Sequence, residues 1–161
     1  MSIILGIDPG TTTVGFALIE SVARKVTILN YGVISTRPKQ DIATKLFDIT
    51  QDLENLINTY HPTIVGIEKL FFFNNQKTGI DVAQARWAIL LILKRKGLFV
   101  HEFTPLQVKR GISWNGTAKK EQVQNALKIL FKLDSIPKPD DAADAIALAY
   151  LASLQKNNIL L

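Results

Sequence analysis

The sequence predicts an α/β protein built on one mixed sheet, and three observations predict it. Three apolar segments of strand length follow one another at residues 3–8, 14–19 and 26–35, joined by short links. After them, helical and strand-like segments alternate. The chain then closes on three helical segments in succession, giving the order βββαβαβααα.

Residues 3–8 form an apolar run that ends at Pro9-Gly10, so it reads as a buried strand closed by a turn. The links 9–13 and 21–25 are short enough to make the first three strands an antiparallel meander. Over Ile42–Tyr60, the apolar residues Ile42, Leu46, Ile49, Leu53, Leu56 and Ile57 recur at helical spacing, and Pro62 stops the helix. Residues 63–68 make a fourth strand that ends in a charge. A polar loop around 74–78 leads to a helix over 80–96, which Gly97 terminates. Residues 98–103 are the fifth strand, and Pro105 opens a short helix through Arg110. A loop bounded by Gly111 and Gly116 precedes a helix over 118–133. Pro137 and Pro139 break the chain before the last helix, Asp140–Gln155. No internal repeat and no linker divides the 161 residues, so one domain over 1–161 is expected.

Composition narrows the chemistry. Cys is absent, which excludes disulfides, thiol catalysis and Cys-ligated zinc and fits a cytoplasmic protein. The apolar start is too short for a signal peptide, and the longest apolar run falls far below a span of about 20 residues, so no membrane is expected. Charge is unevenly placed. Residues 69–138 carry 13 Lys/Arg against four acids, a net +9, while the remainder is −4. A basic half beside a carboxylate-bearing half suits a protein that holds a polyanion and acts on it.

The acids that stand out are Asp8, Glu68, Asp141 and Asp144. Asp8 and Glu68 each close a run that should be buried, at the strand edge where α/β sheets bind ligands. Asp-Pro-Gly is also an ordinary turn sequence, so Glu68 is the sharper clue. In the last helix, Asp141 and Asp144 share a face, as do Asp140 and Asp144. Acids in a first helical turn favour the helix dipole, which accounts for one or two of them. It does not account for Asp144, set in the apolar remainder of that helix. Four carboxylates from three elements can hold two divalent cations roughly 3.5–4 Å apart, a known device for phosphodiester hydrolysis. No Cys, Ser-His or Lys nucleophile arrangement competes. His61 and His101 both read as structural.

Ile4-Leu5-Gly6-Ile7-Asp8-Pro9-Gly10, Ile67-Glu68 followed by Phe71, and Asp141-Ala142-Ala143-Asp144-Ala145 resemble the three acidic motifs of the RuvC resolvase family. Gln84-Ala85-Arg86, Val108-Lys109 and Lys120-Glu121-Gln122-Val123 match the same pattern in order. The resemblance spans about residues 3–155.

It implies a ribonuclease-H-like fold with a five-stranded mixed sheet flanked by helices. It implies a homodimer that resolves four-way (Holliday) DNA junctions by paired symmetric nicks. The ends would carry 5′-phosphate and 3′-hydroxyl groups. Two Mg²⁺ ions per site, or Mn²⁺ in their place, would be held by Asp8, Glu68, Asp141 and Asp144. The motif match selects Asp141 over Asp140, which periodicity leaves open. Lys109 and Lys120 would meet phosphates, Phe71 would stack on an unpaired base, and Arg86 and Lys119 would add DNA contacts. A branch-migration helicase complex is a further implied partner.

Two departures bear on this. Trp87 stands where the family more often has a small residue, which affects helix pairing across a dimer. The stretch after residue 155 carries only Lys156 as a charge, which weakens the expected partner contacts.

Two other readings compete. Gly6 to Thr12 looks like the first phosphate loop of the actin, sugar-kinase and Hsp70 type of nucleotide-binding protein. That type needs two lobes and a second Asp-x-Gly loop, and the chain supplies neither. A diverged ribonuclease-H-like nuclease acting on another nucleic acid would keep the same carboxylates.

Overall fold

The computed structural model describes residues 1–23, 25–69 and 76–155. Five strands, β1 (Ser2–Asp8), β2 (Thr13–Val22), β3 (Lys25–Ser35), β4 (Ile64–Glu68) and β5 (Phe99–Phe103), form one sheet in the order β3-β2-β1-β4-β5. The first three pair antiparallel, as the short links require, while β4 and β5 run parallel to β1. The mixed sheet expected from the sequence is therefore present.

Helices α1 (Ile42–Tyr60) and α2 (Gln76–Arg95) cover one face. Their apolar residues Ile49, Leu53, Ala85, Ile89 and Leu93 pack on Leu5, Ile7, Leu18, Val65 and Ile67 of the sheet. Asp41 caps α1 by accepting from the Thr44 backbone N–H. His61 ends the helix in the left-handed region and donates its own N–H to the Ile57 carbonyl, the structural part expected of it. Helix α2 begins four residues before the predicted Ile80. Its first turn, Gln-Lys-Thr-Gly, carries no apolar period that the sequence pattern could register.

The other face holds α3 (Pro105–Ser113), α4 (Lys120–Leu130) and α5 (Asp140–Gln155). Both α3 and α4 end differently from expectation. α3 continues past Arg110 to Ser113, where Trp114 takes φ 60° and caps it. α4 stops at Leu130, because Lys132 has turned to φ 53°.

Helix α5 lies directly against the centre of the sheet. Nearly every residue from Ala142 to Ser153 is buried, and most are alanine. The strands answer with glycine beneath it. A Cβ on Gly6 would fall 1.9 Å from the Ala145 carbonyl oxygen, and one on Gly66 2.2 Å from that of Leu148. Backbone meets backbone at both points, so any side chain there would push the helix off the sheet.

Candidate active site

Three elements converge at one edge of the sheet. β1 and β4 are adjacent and parallel, with Ile7 opposite Ile67, so Asp8 and Glu68 leave the same end of neighbouring strands. The N-terminal turns of α5 cross above them. Gly15 lies under the Asp141 carbonyl, 2.0 Å from where a Cβ would sit, which brings the start of α5 down onto the strand ends. Glu68 and Asp144 line one cavity of about 190 Å³ together with Lys109 and Val108 of α3 and Lys120 and Val123 of α4. Leu148 and Pro105 complete its walls.

The electrostatics follow from that convergence. Burial pushes the Asp8 carboxyl up to about 8, and the nearby charges of Glu68, Asp144 and Asp141 push in the same direction. Asp8 also shares a hydrogen bond with the Glu68 side chain, so the two carboxyls titrate as a pair. Burial raises Glu68 as well, and the Asp144 charge adds to this. Asp144 is raised by burial, against the opposing pull of Lys120. Asp8, Glu68 and Asp144 therefore share a partly desolvated site with too little positive charge to ionise freely.

Lys120 is the cation that answers them. Its Nζ stands 3.2 Å from Asp140 Oδ2 and 3.4 Å from Asp144 Oδ2. Burial alone would lower its pKa, yet Asp144 and Asp140 outweigh that and raise it. Asp140 takes a second bond from Gln124 Nε2 at 3.0 Å, and its carboxyl is held low by these two partners. The structure thus separates the two adjacent acids. Asp140 ties α5 to α4, while Asp141 acts on Asp8.

The donor set is all oxygen, which suits hard divalent cations, and its excess of buried negative charge is what such ions neutralise. Among the described residues, no three His, Asp or Glu side chains are closed around a common point. Lys120 holds Asp144, and Asp8 and Glu68 hold each other.

The remaining expected residues divide. Lys109 lines the cavity, and Lys119 is exposed at the N-terminus of α4. Phe71 lies outside the described residues. Arg86, expected to touch DNA, requires correction. It is 8% exposed and faces inward, where its Nε donates to the Glu68 carbonyl at 3.0 Å and its Nη2 pairs with Glu102. Burial of a guanidinium is tolerated only with such partners. The sequence offered no sign of the pairing, since Glu102 sits one strand later. His101, which the sequence reads as structural, is flanked by the Phe99 and Phe103 rings, and burial lowers its pKa.

A family model described as crossover junction endodeoxyribonuclease RuvC matches residues 4–151. The RuvC of Heliobacterium modesticaldum is 48% identical over 147 residues, which cover 91% of each chain. That of Petrotoga mobilis is 43% identical over 148 residues, 92% of this chain and 91% of its own. Among solved structures, T. thermophilus RuvC in complex with Holliday junction substrate superposes with a TM-score of 0.86 at 24% identity, over 98% of this chain and 96% of that one. The fold is ribonuclease-H-like, and the chain belongs to the RuvC family of crossover junction endodeoxyribonucleases.

Proposed function

We propose that the chain is a structure-selective endodeoxyribonuclease that resolves four-way DNA junctions by paired symmetric nicks, leaving 5′-phosphate and 3′-hydroxyl ends. One observation carries the reading. Asp8, Glu68, Asp141 and Asp144 meet at the strand ends, where burial first and the neighbouring acids second push the Asp8 carboxyl up to about 8. Strongly shifted acids gathered in a cleft are characteristic of functional sites. The family is metal-dependent, and these four acids would hold the ions, two per site, Mg²⁺ with Mn²⁺ as a substitute. Bound cations of this kind supply an activated water and neutralise charge on the leaving oxygen.

The chain's own residues do the rest. Lys120 and Lys109 border the cavity and place positive charge where a scissile phosphate would enter. Lys119 extends that charge over the α4 terminus, and Phe71 supplies a ring for an unpaired base. The acids are partly withdrawn from water, so each charge interaction there is stronger and reaches further than in bulk solvent.

A homodimer fits the outer face of α2. Ile80, Trp87 and Leu91 stand exposed at helical spacing on one stripe, with Trp87 at 67%, and Phe47 of the neighbouring α1 is exposed too. A second copy covering this stripe would set two sites for two strands. The same reading takes a branch-migration helicase complex as a further partner and the cytoplasm as the compartment. It treats residues 1–161 as one nuclease domain. No helix among the described residues is long and apolar enough to cross a membrane.

The test is a labelled four-way junction with a mobile core beside linear duplex, each with Mg²⁺, and Asp141→Asn in parallel. Paired nicks in the junction alone, lost in the variant while binding persists, support the reading. Equal cutting of duplex overturns it in favour of a general nuclease.

A further inference from the structure

We infer that Arg86 is a positioning residue for Glu68, supplying from α2 the N–H that Pro9 withholds from the sheet. This rests on the reading of Glu68 as a metal ligand.

Strand register decides which donors the Glu68 carbonyl can reach. The Lys69 backbone N–H donates to the Phe103 carbonyl at 2.8 Å, and Glu68 is paired with Phe103. In a parallel ladder the N–H and C=O of one residue point to the same side and alternate along the strand. Odd-numbered residues of β4 therefore turn these groups toward β5, and even-numbered residues turn them toward β1. With Gly6 opposite Gly66 and Ile7 opposite Ile67, the donor that would next reach the Glu68 carbonyl belongs to residue 9. That residue is Pro9, which has no N–H.

A strand-end carbonyl beside a desolvated pocket needs a partner. Arg86 Nε provides it at 3.0 Å. The far end of the guanidinium pairs with Glu102, which lies opposite Ile67 on β5. One planar group thus spans β4 and β5 at the level of the acids. It comes from the α2 face, whereas the Glu68 carboxylate lines the cavity on the α5 face. Arg86 therefore fixes where the carboxylate begins without competing for its charge. A lysine could not donate in both directions from one rigid plane.

The test measures Mn²⁺ binding by electron paramagnetic resonance, and the Mg²⁺ dependence of junction nicking, in wild type, Arg86→Met, Arg86→Lys, Glu102→Gln and Glu68→Gln. Supports of metal ligands typically contribute about 10–100-fold to affinity or activity. Arg86→Met should weaken Mn²⁺ binding about tenfold or more while junction binding in metal-free buffer is kept, with Arg86→Lys no better and Glu102→Gln intermediate. Adding Pro9→Ala to Arg86→Met restores an N–H at the ladder position and should recover part of the Mn²⁺ affinity. If Arg86→Met does not fold, Arg86→Lys and Glu102→Gln decide the matter by the same readouts. Unchanged Mn²⁺ affinity in them, with Glu68→Gln impaired, overturns the inference. Lost junction affinity at intact Mn²⁺ binding also overturns it and makes Arg86 a DNA contact. If Glu68→Gln itself binds Mn²⁺ normally, the reading of Glu68 as a ligand is what fails.

Discussion

Lys120 reaches from α4 to α5 and sets its ammonium nitrogen 3.4 Å from Asp144 Oδ2. The pair places a lysine against the acid most deeply set in the last helix. It also occupies that carboxylate until a competing cation arrives.

Lys120→Met should therefore act twice. Losing a cation aimed at a developing negative charge typically lowers a rate by about 10²–10³-fold. Single-turnover nicking at saturating junction should fall by that order. Losing one phosphate contact should also reduce the slope of log affinity against log salt by about one. With Lys120 gone, Asp144 is pushed further up, so the acidic limb of the pH–rate profile should move to higher pH.

Stability of the metal-free protein should fall as pH rises. Asp8 titrates at about 8 in the fold against 3.8 in an unconstrained chain. Between these values the folded state binds a proton that the unfolded state has released, so each step up in pH favours unfolding. Glu68 and Asp144, both raised, add in the same direction. Melting temperature should be highest near about pH 5 and decline toward about pH 8. Mg²⁺ replaces the missing positive charge, so its stabilising effect should be larger at about pH 8 than at about pH 6. Asp8→Asn should flatten the decline, and a slope unchanged in that variant would count against the crowding of acids as its source.

Gly66→Ala tests the contact between helix and sheet. The new methyl would meet the Leu148 carbonyl at 2.2 Å with backbone on both sides. Overpacking of this kind costs about 1–3 kcal/mol or more. At about 2–4 °C per kcal/mol for a chain of this size, the melting temperature should drop by roughly 2–12 °C. Circular dichroism would read it directly.

Trp114→Gly should stabilise. Trp114 is 93% exposed and holds φ 60°, so it gains little burial in return for a strained backbone. That conformation costs a non-glycine residue about 1–2 kcal/mol, and the greater freedom of glycine when unfolded returns about 0.5–1. A net gain of about 0.5–1 kcal/mol is expected in urea titration, with junction nicking unchanged.

Much of this architecture was legible before any coordinates. The bounds of α1 and α5 follow from apolar spacing and from Pro62 and Pro139, strong local signals. The meander follows from links too short for anything else. The strand-end acids stood out because burial made them anomalous. What could not be read depended on partners distant in sequence. Charged Arg86 within a helix is expected to face water, and only the fold brings Glu102 and the Glu68 carbonyl to it. Periodicity leaves Asp140 and Asp141 open and only the motif match selects Asp141, while the fold shows Lys120 and Gln124 engaging Asp140. The stop of α4 at Leu130 depended on a backbone reversal at Lys132 that no residue type announces.

The glycine floor under α5 also divides the ways in which this molecule can be lost. Changing an acid relieves repulsion, so a lineage that drops Asp144 or Asp8 would keep an intact fold with no cutting. Changing Gly6 or Gly66 would instead weaken the fold that carries the site. Silent descendants of this chain should therefore have exchanged their carboxylates while keeping their glycines.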